Sequence, residues 1–122
     1  MKSDFKFTAE ENSFIIEAGI KKLRVSYNEF YGPHKNAMKF CKKNGGGNES
    51  VENLRFLSRH LLAINKELTK LGKEKIKMDE QYWANENSFG LSPFADTVYT
   101  LDSEVWNENG LDDYYARAIA SL

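Results

Sequence analysis

The chain is poor in the residues that most directly announce a chemistry. Its 122 residues include one cysteine, two histidines and two prolines. With Cys41 alone, no intrachain disulfide forms and no paired-cysteine zinc site exists. No apolar run approaches the roughly 20 residues that carry a helix across a bilayer, so no membrane span is expected. Met1-Lys2-Ser3-Asp4-Phe5 lacks the apolar core of a secretory signal. That leaves synthesis without export or prior removal of a leader, and hence a virion, cytoplasmic or surface location. His34 and His60 have no nearby Cys, Ser or carboxylate at catalytic spacing, so each is read as solvent-facing or capping. Gly45-Gly46-Gly47 is followed by no Gly-Lys-Ser/Thr and ends a helical run, so it is not a phosphate loop. No catalytic residue is assigned, and the chain is expected not to be an enzyme.

What is present describes a globular domain. The 41% hydrophobic and 29% charged residues are ordinary for one, and the length suits residues 1–122 as one domain. A chain of this size buries about two-thirds of its unfolded surface. The net charge of −1 hides a polarity. Residues 1–78 carry 16 Lys and Arg against nine Asp and Glu, a net +7. Residues 79–122 carry Arg117 against nine acids, a net −8, and hold eight of the 16 aromatic residues. One reading is two solvated faces; the other is an acidic, aromatic C-terminal surface that meets a cationic partner or a metal ion. Nucleic acid is not an expected partner, because the lysines of the first helix lack interleaved aromatics and the sequence pI is near 6.1.

The first thirty residues predict strands at Phe5-Lys6-Phe7, Phe14-Ile15-Ile16 and Leu23 to Tyr27, with Ala18-Gly19 as a turn. Gly32-Pro33 ends that region, and Pro33 suits a helix N-terminus. Ala37, Met38, Phe40 and Cys41 make one apolar helical face opposite Lys35, Lys39, Lys42 and Lys43, with Gly45 as the left-handed cap. Leu54, Leu57, Leu61, Ile64, Leu68 and Leu71 are spaced by threes and fours, which suits one long helix from Ser50. Leu54-Arg55-Phe56-Leu57 also suits a short buried strand before a helix capped by Ser58. Lys73–Lys77 is a polar connector. Tyr82-Trp83, Thr97–Leu101, Val105–Asn107 and Tyr114–Ile119 read as a final sheet, with turns at Asp102-Ser103 and Asn109-Gly110.

Ala37, Phe40, Cys41, Gly45 and Gly46, followed by Leu54, Leu57 and Ser58, resemble the opening of a C-type-lectin-like domain. Leu61, Ile64-Asn65, Tyr82-Trp83-Ala84-Asn85-Glu86 and Ala116-Arg117-Ala118-Ile119 extend the resemblance to a disulfide-free bacterial and phage branch. It covers about residues 25–122 and departs at Leu54, Leu57 and His60. The resemblance implies a compact α+β fold, with two helices packed on an antiparallel sheet. It selects the strand at Leu54–Leu57, a second helix over Ser58–Leu71 stopped by Gly72, and a closing strand paired with an N-terminal one. Cys41 is then a buried apolar residue.

The resemblance also directs attention to function. Calcium-dependent lectins of this fold use a Trp-Asn-Asp strand and a Glu-Pro-Asn loop, since calcium takes six to eight hard oxygens. Here Trp106-Asn107-Glu108 lacks the Asp and no Glu-Pro-Asn exists, so Glu86, Asn107 and Glu108 are the nearest approach to a calcium set and no cofactor is expected. The sulfatase-modifying oxidases share the fold but need paired cysteines. The related variable proteins of retroelements present a C-terminal surface rich in Asn and Tyr. The expected role is therefore a display module binding a protein or glycan ligand. Aromatic anchors with adaptable amides suit such a surface, and the candidates are Asn85, Asn87, Phe89, Leu91, Phe94, Trp106, Asn107, Asn109, Asp112 and Asp113. Tyr82-Trp83 is read as core. The alternative is an accessory subunit, itself an oligomer or part of an assembly, docking through its acidic face.

Overall fold

The computed structural model describes residues 5–122; Met1–Asp4, read above as part of a start without a signal core, lie outside them. The elements are β1 (Lys6–Ala9), β2 (Ser13–Ala18), β3 (Lys21–Ser26), β4 (Phe30–Gly32), α1 (His34–Lys43), α2 (Val51–Arg59), α3 (Leu61–Lys70), β5 (Gln81–Trp83), β6 (Phe94–Tyr99), β7 (Val105–Asn109), β8 (Tyr114–Ala116) and β9 (Ile119–Ser121). The fold is α+β. One antiparallel sheet runs β1-β2-β3-β9, and a mixed sheet runs β4-β8-β5-β6-β7. Among the described residues, no helix is long and apolar enough to cross a membrane.

The N-terminal strands form where their aromatic and β-branched runs predict, and Phe14, Ile16, Leu23 and Val25 all turn into one core. Gly19 takes φ +62° at the expected turn. Pro33 precedes α1, where Ala37 and Cys41 face inward and Lys42 and Lys43 occupy the last turn. Lys35 and Lys39 lie with them on the exposed side. Gly45 is left-handed at φ +83°, and a Cβ on Gly46 would sit 2.9 Å from the Cys41 carbonyl oxygen. Cys41 is buried as expected, and burial followed by the charge of Glu49 pushes its thiol far up.

The segment after the glycines corrects the sequence reading. Leu54–Leu57 is not a strand, and Ser58 is not an N-cap. Residues 51–59 form α2, with the Asn53 amide donating to Ser50 Oγ at 3.1 Å. Leu54 and Leu57 explain the outcome, because residues three apart share a helix face but lie on opposite faces of a strand. Both belong to the same core cluster. Ser58 donates instead to the Thr100 carbonyl at 2.8 Å. The described residues hold three helices where two were expected: α3 starts at Leu61, and His60 closes α2 and opens α3 with φ −110°. Gly72 follows as the expected stop, at φ +69°.

The closing strand is also revised. Tyr114–Ile119 divides into β8 and β9, which lie in different sheets, with Arg117 and Ala118 at the crossing. β8 pairs with β4, β9 pairs with β3, and β5 runs parallel to β8. β6 begins at Phe94, three residues before its expected start, and β4 has no counterpart in the sequence reading. The mixed sheet is covered on both faces. Tyr82 and Val98 join the large core with Leu54, Leu57, Leu61, Ile64 and Leu68. Trp83, Ala95 and Ala116 pack against Ala37 and Cys41 of α1. Tyr82-Trp83 is thus core, as read, and Trp83 Nε1 donates to the Gly32 carbonyl at 2.8 Å.

Both crossings between the sheets meet at one buried ion cluster. Arg117 Nε donates to Glu29 Oε2 at 2.8 Å, Lys77 Nζ lies 2.8 Å from Glu29 Oε1, and Tyr82 donates its hydroxyl to Glu29. Arg117 also donates to the carbonyls of Ser26, Glu74 and Lys75. Burial pulls Lys77 down, but its hydrogen bonds to Glu29 and Glu74 outweigh that and leave its pKa raised. Burial and the Glu29 charge push the Tyr82 phenol far up. The polar connector is therefore pinned to the core through Lys77 and the buried Ile76.

Candidate functional site

The C-terminal segment builds a loop-and-strand surface from residues that cannot all face inward. The loop between β5 and β6 closes on Asn87. Its Oδ1 accepts the amides of Phe89 and Gly90 at 3.2 Å, and its Nδ2 donates to the Leu91 carbonyl at 2.8 Å. Gly90 supplies the positive φ of +69° that this tight path requires. Beneath the loop, buried Asp96 accepts the Ser88 amide, the Ser88 hydroxyl at 2.9 Å and Asn107 Nδ2 at 2.8 Å. Asn107 Nδ2 also donates to Asn87 Oδ1 at 3.0 Å, joining β7 to the loop. Glu86 Oε1 accepts the Val51 amide at 2.6 Å, which places a carboxylate at the positive end of α2.

This backbone holds apolar side chains in water. Phe89 is 67% exposed and Leu111, on the turn before β8, 74%; Leu91 and Phe94 are also exposed. A groove of about 460 Å³ runs between the loop and the start of α1, lined by His34, Asn87, Pro93, Phe94, Gly110 and Leu111. Trp106 is 49% exposed on β7. Because side chains alternate along a strand, Trp106 and Glu108 point to one face of the sheet and Val105 and Asn107 to the other. Partial burial, and then the charge of Glu108, raise the Tyr114 phenol to about 12.

The predicted site residues therefore separate into two groups. Phe89, Leu91, Phe94, Trp106, Asp112 and Asp113 are exposed, as a binding face requires. The amides act differently from the adaptable contacts expected of them. Asn85 Nδ2 donates to the Gly47 carbonyl at 3.1 Å, and Asn109 Oδ1 accepts the Leu111 amide at 2.9 Å. With Asn87 and Asn107 they are supports of the surface. Sequence reasoning passed over Ser88 and Asp96, which anchor the loop, and Val105 and Leu111, which add exposed apolar area. An apolar residue directly after Asn109-Gly110 was the available signal for Leu111.

The calcium candidates do not converge. Glu86 serves the α2 N-terminus, and Asn107 and Glu108 point to opposite faces of β7. Among the described residues, no group of three or more His, Cys, Asp or Glu is placed to hold a metal ion. Asn107 Oδ1 is the buried side-chain oxygen without a partner among the described residues. The histidines are not free either. His34 Nε2 lies 2.9 Å from the Ala84 carbonyl oxygen and its ring meets the Trp83 ring edge-on. The His60 ring packs against both Phe5 and Phe56, and burial, then Arg59, lowers its pKa.

Comparison with protein-family models, curated proteins and solved structures returns no match.

Proposed function

We propose that the chain is a non-catalytic display module with a C-type-lectin-like arrangement, presenting its C-terminal loop and strand surface to a protein or glycan ligand. The observation that carries this reading is exposed apolar area on a fixed backbone. Phe89, Leu91, Phe94, Trp106 and Leu111 are exposed, while Asn87, Asp96 and Asn107 hold the backbone beneath them. Ordering a surface before binding removes part of the entropy cost of association. The resemblance is supported by the pairing of C-terminal strands with N-terminal ones and by the Tyr82-Trp83 core.

Panning against a displayed peptide library and a glycan array tests the proposal. Ligands should emerge whose binding is lost in Phe89→Ala and Trp106→Ala proteins with unchanged melting temperatures. If both variants melt early, the two residues are core and the assignment fails. If the wild type elutes as an oligomer whose interface buries Phe89 and Trp106, the accessory-subunit reading replaces it.

A further inference from the structure

We propose that the open edge of β7 takes an extended, basic segment of a partner protein as an added strand, an inference that rests on the display reading above. The mixed sheet ends at β7, which pairs only with β6 among the described residues. The Tyr99 amide donates to Glu104 O at 2.8 Å, and the Gly110 amide donates to Pro93 O at 2.9 Å. Between those two bonds an antiparallel pair alternates, so residues 104, 106, 108 and 110 direct their backbone groups toward β6. The amides and carbonyls of Val105 and Asn107 therefore point away from the sheet. A row of unpaired edge groups is a template for another strand.

The edge carries only part of the protection such strands have: its acidic side chains repel an acidic strand but leave a basic one free to pair. β7 contains no lysine and no proline, and Val105 and Trp106 are exposed on its two sides. The β1 edge of the other sheet differs, because it carries Lys6 and is followed by Glu10 and Glu11. Charge selects the occupant. Glu104 and Glu108 lie on or beside β7, Asp102 precedes it, and Asp112 and Asp113 follow it. The one cation of residues 79–122, Arg117, is buried against Glu29. Arg55 approaches from α2, where its Nε donates to the Ser103 carbonyl at 3.0 Å, and Lys35 lines the groove beside Leu111. Neither offsets five carboxylates. A segment alternating lysine or arginine with apolar residues would set cations against Glu104 and Glu108 while its backbone bonds to Val105 and Asn107. A second copy of β7 would instead oppose acid to acid, which disfavours a symmetric dimer through this edge.

The test uses the whole chain and a synthetic alternating lysine–valine peptide of roughly eight residues, long enough to pair along one strand. Binding should slow amide exchange at Val105 and Asn107 while leaving Trp106 and Glu108, already bonded to β6, unchanged. Affinity should fall at least tenfold between about 50 mM and about 500 mM salt, as screening shortens the reach of the carboxylates. Val105→Pro removes an outward amide at the first position of β7, where proline is tolerated, and should weaken binding at least tenfold. The same peptide N-methylated at alternate residues keeps the test independent of that variant's folding and should fail to bind. Equal binding of the methylated peptide, unchanged exchange at Val105 and Asn107, or no binding at low salt would overturn strand addition. Ligands from panning that still require Phe89 and Trp106 would then leave the display reading standing.

Discussion

Arg117 Nε lies 2.8 Å from Glu29 Oε2, with the two side chains 0% and 4% exposed. The pair sits where the chain passes from one sheet to the other twice, after β3 and again between β8 and β9. It therefore holds both crossings by one contact. Removing one member of a buried ion pair leaves an uncompensated charge and costs about 3–5 kcal/mol. Arg117→Ala should lower stability by that amount in urea unfolding. A double Arg117→Met, Glu29→Met protein should recover part of the loss, because neither member of the pair is left as a lone buried charge, while Lys77 and the Tyr82 hydroxyl lose their Glu29 partner. A double variant as unstable as the single one would show that the other hydrogen bonds of the cluster, from Arg117 to Ser26, Glu74 and Lys75 and from Lys77 and Tyr82 to Glu29, carry the effect instead.

His60 gives the fold a pH dependence of definite sign. Its pKa is lowered in the folded protein, chiefly by burial and secondarily by Arg59, so the unfolded chain binds the proton more readily. Its contribution is fully present above the unfolded value of about 6.5 and is lost as pH falls through the lower folded value. Unfolding midpoints should decline over that acid window. His60→Phe, which keeps an aromatic ring beside Phe5 and Phe56, should flatten the decline. An unaltered slope in that variant would assign it to the carboxylates.

The strengths and failures of sequence reading divide by the range of the interaction involved. A short aromatic and β-branched run located β2, alternation located β3, and Pro33 with Gly45 bracketed α1, because these signals are local. α2 was misread even though its periodicity was correct: Leu54 and Leu57 already stood at helical spacing, and Ser50 was its visible cap. The break at His60 has no sequence mark, since it arises where Phe5 and Phe56 receive the ring. β4 is three residues long and exists through its pairing with β8. At the candidate surface, exposed aromatics were legible from their polar neighbours. The amides were not, because Asn107 meets Asn87 and Asp96 only after β6 and β7 pair.

That meeting point makes a further prediction. Asn107→Ala removes the hydrogen bond from β7 to Asn87 of the loop and the one to Asp96 of β6, and so leaves a buried oxygen of Asp96 with one donor fewer. Leaving a buried acceptor short costs about 1–3 kcal/mol, and the loss should fall on the loop. Amide exchange at Ser88, Phe89 and Gly90 should accelerate well before the core strands respond. Ligand affinity should fall even though Asn107 is not a contact, because the loop then has to order on binding. Exchange that speeds up equally in β2 and β3 would mean that the amide supports the whole domain.

The two tryptophans report directly on the proposed face. Trp83 is fully buried between the mixed sheet and α1, so soluble quenchers reach Trp106 alone. Trp106 stands among Glu104, Glu108, Asp112 and Asp113 in sequence, and a negative potential concentrates cations near a surface. Caesium should therefore quench the accessible fluorescence more efficiently than iodide at low ionic strength. The difference should shrink as added salt brings the Debye length below about 8 Å. Trp106→Phe should abolish the quenchable fraction while shifting stability by no more than about 0.5 kcal/mol, as expected for a surface substitution. Equal quenching by the two ions would remove the electrostatic basis for a cationic partner and leave the apolar side chains to account for recognition alone.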